Sequence, residues 1–265
     1  MPDSSDLKEF SALAHELAEV AGAVQQRYFR QPVAVDSKVD SSPVTIADRE
    51  AEAAMRDLIG RRYPSHGIFG EEFGSDRETA EFVWVLDPID GTKSFITGRP
   101  LFGTLIALLR EGRPVLGVID QSILKERWVG IEGAPTLHNG NVLRTRECPV
   151  LSQASLYATS PFMFANAGDR QGFERLAKRV RYPLFGGDCY AYGLVAMGFV
   201  DVVVEANLQP YDYMALVPVL EGAGGYITDW TGNELGLASD GRVVASGDRR
   251  LHDEALALLD MRAAV

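Results

Sequence analysis

The sequence predicts a protein of mixed helices and sheets stacked in layers, and three observations carry that reading. Apolar residues at positions 10, 13, 17, 20, 24 and 28 open the chain, the spacing of one face of a helix. The middle holds short runs rich in Val, Ile and Trp, separated by turn residues, as strands are. Beyond about residue 150, helical and strand patterns alternate, which places helices against sheet faces. A soft boundary falls at ECPVLSQ, 147–153. It divides a single unit into an N-terminal α+β part, 1–147, and a C-terminal α/β part, 148–265.

Taken in order, a helix is predicted over 7–29, ending before Pro32. The polar stretch QPVAVDSKVDSSP then reads as a connection or a lid over 33–43. A second helix spans 46–62 with Thr45 as N-cap. A short strand at 66–70 leads into Glu71 and Glu72, and a better one covers 82–86. Segments 103–109 and 114–120 flank EGR as a hairpin, and 128–131 and 141–144 add antiparallel strands. Next come a helix at 173–180, a strand at 182–185 and a helix at 188–197 that begins with Asp188. A strand at 200–205, a helix at 211–222, strands at 226–229 and 243–246 and a helix at 251–261 complete the chain. There is no internal repeat and no low-complexity tract.

The bulk numbers narrow the function. With 265 residues, 46% of them hydrophobic, the chain can bury a core. The net charge of -11 argues against a nucleic-acid partner, because phosphate backbones are held by Lys and Arg. The opening MPDSSDLKEF is too polar for a signal peptide. No apolar run reaches the ~18 residues of a membrane helix. Cys148 and Cys189 form no CxxC, so a reduced, cytoplasmic protein without a membrane partner is expected. The chain lacks GxxxxGK[ST], GxSxG and HExxH, which removes the P-loop, nucleophile-elbow and zincin chemistries. His15, His66, His138 and His252 show no paired spacing and are read as surface or packing residues.

The chemistry is concentrated in WVLDPIDGT, residues 84–92. Asp87 and Asp90 follow an apolar strand, where an unpaired charge is costly. Pro88 keeps Asp87 extended, and the two acids converge at the strand's mouth. Two carboxylates and the carbonyl of Ile89 suit a hard cation such as Mg²⁺. Gly91 and Thr92 can offer amides to an anion. The competing reading is plain turn chemistry from Asp-Pro and Asp-Gly. Asp48 and Asp212 stand near helix starts, where single acids are usually caps.

Three blocks together resemble the inositol monophosphatase family of metal-dependent small-molecule phosphatases: GEE at 70–72, WVLDPIDGT at 84–92, and PYDYMAL with EGAGG between 210 and 225. The resemblance runs over about 35–250. It implies a five-layer α-β-α-β-α sandwich, usually dimeric, so a homodimer is expected. It implies that Glu71, Asp87 and the Ile89 carbonyl hold a first Mg²⁺, and Asp87, Asp90 and Asp212 a second, with a weaker third near Glu71. It makes Gly91 and Thr92 the phosphate cradle and Glu71 with Thr92 the pair that orients the attacking water. Asp48 backs Thr92, Lys38 lies near metal-bound water, and Glu205 contacts a substrate hydroxyl.

Within that family the chain departs from the inositol pattern. Lys93-Ser94 follows DGT, and Asp188 follows Gly186-Gly187. Both departures resemble the histidinol-phosphate phosphatase branch. Asp188 and Glu205 would set two carboxylates beside an ammonium and an imidazole, although Asp188 also reads as a helix N-cap. The expected reaction is hydrolysis of L-histidinol phosphate. Inositol 1-phosphate or a broader range of esters is the runner-up. A non-catalytic binding member would lack a metal ligand or the water-activating pair, and none is missing.

Overall fold

In the computed structural model, which describes residues 4–37 and 43–260, helix α1 (Ser4–Tyr28) turns its apolar stripe of Phe10, Leu13 and Leu17 into a core. Strands β1 (Val35–Ser37) and β2 (Pro43–Thr45) pair antiparallel within the stretch read as a connection or a lid. Helix α2 (Ile46–Arg62) starts at a capping box. The Thr45 hydroxyl accepts from the Ala47 amide, and Asp48 Oδ2 accepts from the Thr45 amide.

Strands β3 (Gly67–Gly70), β4 (Gly74–Asp76), β5 (Phe82–Asp90), β6 (Gly103–Arg110), β7 (Arg113–Gln121), β8 (Glu126–Ile131), β9 (Leu137–His138) and β10 (Asn141–Val142) make one eight-stranded sheet, ordered β10-β9-β8-β7-β6-β5-β3-β4. Only the β3–β5 pair is parallel. Helix α3 (Thr92–Ile96) leaves β5 directly. The second half carries β11 (Ser155–Ala158), α4 (Ala167–Ala177), β12 (Tyr182–Phe185), α5 (Asp188–Ala196), β13 (Val202–Glu205), α6 (Pro210–Tyr213), α7 (Leu216–Gly222), β14 (Tyr226–Thr228), β15 (Val243–Ser246) and α8 (Arg249–Leu259). Its five strands are ordered β12-β11-β13-β15-β14.

The core clusters define five layers. Trp84 and Leu86 of β5 join Leu13 and Leu17 of α1 and Met55 of α2 on one sheet face. Val83 and Val85, on the opposite face by strand alternation, pack with Tyr192 of α5 and Leu216 and Leu220 of α7. The same cluster reaches Val203 and Ala245 of the second sheet. The far face of that sheet, with Leu156, Val202 and Val244, is covered by Phe173 of α4 and Leu251 of α8. The stack is therefore α-β-α-β-α, as the resemblance implied.

Several boundaries differ from the sequence reading. Strand β5 does not end at Leu86 but runs to Asp90 through a bulge. The helix expected over 211–222 is broken between Tyr213 and Leu216. The helix placed at 173–180 lies earlier, because Asn166 caps it by accepting from the Asp169 amide. Strand β11 was not anticipated, and 141–144 keeps only two strand residues. The final helix begins two residues sooner than read, with Asp248 as its cap.

Candidate active site

The site begins with a local irregularity in β5. Asp87 pairs with Leu105, and Asp90 pairs with Gly103. Three steps on β5 thus match two on β6, so one residue is extra. Residues three apart on a regular strand point to opposite faces. The extra residue cancels that parity, as β-bulges do. Asp87 and Asp90 consequently share a face with Asp212, and one carboxylate oxygen from each lies within 4.8 Å of the others. Among the described residues this is the one group of three or more acids, histidines or cysteines placed to hold a metal ion.

Neighbouring elements supply the rest. The parallel register sets Gly70 beside Leu86, and the Glu71 amide donates to the Leu86 carbonyl. Glu71 therefore stands next to Asp87, and its charge acts on Asp87, Asp212 and Asp48. The GEE turn is pinned by buried Glu52, which accepts from the Glu72 and Phe73 amides at 2.7 and 3.2 Å. A side chain at Gly70 would collide with that carboxylate, which explains the glycine. Asp212 is the third residue of α6 and accepts from the Gln209 amide at 2.7 Å.

Asp48 combines two readings. One oxygen closes the α2 capping box; the other accepts from Thr92 Oγ1 at 3.3 Å. Thr92 Oγ1 also lies 3.2 Å from the Ile89 carbonyl. Gly91 has φ +86°, and α3 has no side-chain cap there. A side-chain carbon built on Gly91 would meet Asp188 Cγ at 2.8 Å.

Burial and mutual repulsion dominate the electrostatics of the cluster. Burial raises Asp87 well above the usual carboxylate range, and the charges of Glu71, Asp90 and Asp212 add to it. Burial likewise raises Asp90, reinforced by Asp188 and Asp212 and opposed by the Cys189 amide. Asp212 is pushed up to about 7, chiefly by burial, against the pull of the Gln209 amide. Crowded carboxylates ionise together only beside a cation, and an all-oxygen donor set suits Mg²⁺. The residues fit such an ion.

Asp188 does not cap α5. Gly187 occupies the cap position, and Asp188 adopts φ +44°. Its Oδ2 accepts from Ser94 Oγ at 2.5 Å. Glu205, 3% exposed, accepts from the Thr159 amide at 2.7 Å and from Tyr192 Oη at 2.9 Å. Lys38 lies outside the described residues, as do residues 39–42 of the same stretch. The histidines take packing roles: His66 accepts from Trp84 Nε1, and His252 contacts Ser246 and Thr228.

Some supporting residues escaped the sequence reading. Gln25 of α1, fully buried, donates to the Pro88 carbonyl at 2.8 Å and to Thr104 Oγ1 at 2.6 Å. Its signal was a glutamine flanking the apolar stripe of a helix. Thr159 and Tyr192, which hold Glu205, carried no local signal.

A carboxylate cluster placed to hold a metal ion beside a Gly-Thr turn, in an α-β-α-β-α stack, is the arrangement of the metal-dependent phosphatases of this layered class. The chain belongs to the inositol monophosphatase family, whose model matches residues 6–262. It is therefore a phosphatase. It is 52% identical to the chloroplastic bifunctional phosphatase IMPL2 of Arabidopsis thaliana, covering 97% of this chain and 76% of that protein. It is 37% identical to a histidinol-phosphatase of Chlorobaculum parvum, over 88% and 91% of the two chains. A solved inositol monophosphatase from Zymomonas mobilis superposes with a TM-score of 0.88 at 49% identity, over 95% and 98%.

Proposed function

We propose that the protein hydrolyses L-histidinol phosphate to L-histidinol and phosphate, using two or three Mg²⁺ ions. The single observation that carries the choice of substrate is Asp188, an anionic side chain seated against Gly91 of the phosphate-side turn. A substrate with an ammonium group gains a charge-assisted hydrogen bond there; a neutral cyclitol has no cation to offer.

Glu71, Asp87, the Ile89 carbonyl, Asp90 and Asp212 would hold the ions. Bound Mg²⁺ supplies an acidified water, charge neutralisation for the phosphate and stabilisation of the leaving alkoxide. The chain's own groups orient the reaction. Thr92 Oγ1 donates to Asp48, which leaves its lone pairs to accept from the attacking water. Glu71 accepts that water's second proton. The amides of Gly91 and Thr92 receive phosphate oxygens. Asp188 and Glu205 face the substrate body.

Action on inositol 1-phosphate is the second reading, favoured by the name of the 49%-identical Zymomonas protein. The proposal includes a cytoplasmic homodimer with no nucleic-acid or membrane partner. The net charge of -11 supports the first absence. For the second, no helix among the described residues is long and apolar enough to cross a membrane. Mg²⁺-dependent phosphate release from both esters tests the choice. A higher kcat/KM for histidinol phosphate is expected; a preference for inositol 1-phosphate overturns it.

A further inference from the structure

We infer that Ser94 is a positioning residue for specificity: its hydroxyl aims the Asp188 carboxylate at the cationic part of the substrate. The inference rests on the histidinol-phosphate reading and adds a residue to it.

The two residues are 94 positions apart, yet Ser94 Oγ donates to Asp188 Oδ2 at 2.5 Å, with both side chains buried. Asp188 would not rest in this place by local preference. It is a non-glycine residue with φ +44° at the first position of a helix, a conformation that L side chains rarely adopt. The cap position of α5 is Gly187, so no backbone amide of that helix donates to the Asp188 carboxylate as to a cap. Its attractive Coulombic partners are the exposed cations Arg99 and Lys93. Arg99 is anchored close by, donating to the Gly186 carbonyl at 2.9 Å. Without a restraint, the Asp188 carboxylate would be drawn toward those cations. The Ser94 bond holds Oδ2 against the turn, and Oδ1 remains for the ligand. A hydroxyl suits this task because it adds no charge of its own.

The test compares kcat/KM for histidinol phosphate and glycerol 2-phosphate in wild type, Ser94→Ala, Ser94→Thr, Asp188→Asn and Ser94→Ala/Arg99→Ala. The ratio of the two specificity constants is expected to fall about tenfold in Ser94→Ala, the size of a lost hydrogen bond to a charged group. The change should appear in KM for the cationic ester. Ser94→Thr, which keeps the hydroxyl, is expected to restore the ratio. Removing Arg99 as well should recover part of it, because the competing partner is gone. If Ser94→Ala lowers kcat for both esters alike, or Thr fails to rescue a folded variant, the positioning role is overturned. If Asp188→Asn collapses the ratio while Ser94→Ala leaves it intact, the substrate reading stands and the role of Ser94 falls. A wild type without preference for the cationic ester overturns both.

Discussion

Gln25, on the first helix, donates at 2.8 Å to the carbonyl of Pro88, which lies between Asp87 and Asp90 on β5. Thr104 Oγ1 reaches the same carbonyl at 3.1 Å, and Ser122 Oγ donates to Gln25 Oε1 at 2.6 Å. The bulge that aligns Asp87 with Asp90 takes the Pro88 carbonyl out of the ladder. A buried carbonyl must be paired elsewhere, and the outermost helix layer provides the donor.

Replacing Gln25 by Leu should therefore act on the site from the far side of the sheet. Leaving buried partners unsatisfied costs about 1–3 kcal/mol. Urea denaturation should show that loss, and the Mg²⁺ midpoint for activity should rise. A destabilised variant with an unchanged Mg²⁺ midpoint would show that the bulge holds its shape without Gln25.

The cluster also sets a pH signature. Asp212 titrates near 7 in the folded chain, and burial raises Asp87 and Asp90 as well, against roughly 3.9 for an unfolded aspartate. Between those values the folded state binds more protons than the unfolded one, so metal-free stability falls as pH rises. Buried His252, held down at about 4, opposes this below about 6.5. It acts equally with and without metal. Thermal melts in EDTA and in saturating Mg²⁺, from about pH 5.5 to pH 8, should therefore show a stabilisation by Mg²⁺ that grows with pH. A constant difference would mean that the carboxylates are not the metal's ligands.

Asp90→Asn removes one charge and keeps an oxygen that can accept from the Cys189 amide. Without metal, the variant should melt higher than the parent, because repulsion with Asp188 and Asp212 is relieved. Mg²⁺ should no longer raise its Tm, and Mg²⁺-dependent phosphate release should vanish. Near-normal turnover would refute the assignment of the site.

What could be read from the chain alone was whatever depends on neighbours in sequence. The period of α1, the Thr45–Asp48 cap of α2 and the chemistry of DPIDGT are local, because helix faces and caps are set within about four residues. Together with the GEE and PYD blocks they carried the phosphatase class and the layered architecture. The bulge in β5 was not legible, since a strand's pairing partner defines it. Nor were the contacts of Gln25 with Pro88, 63 residues away, or of Ser94 with Asp188. The holders of Glu205 come from the residue after β11 and from α5, segments far apart in sequence that only the fold brings together. Residue types named the chemistry; stacking of the layers decided which side chains meet at the site, because a buried polar group takes whatever partner the neighbouring layer brings within reach.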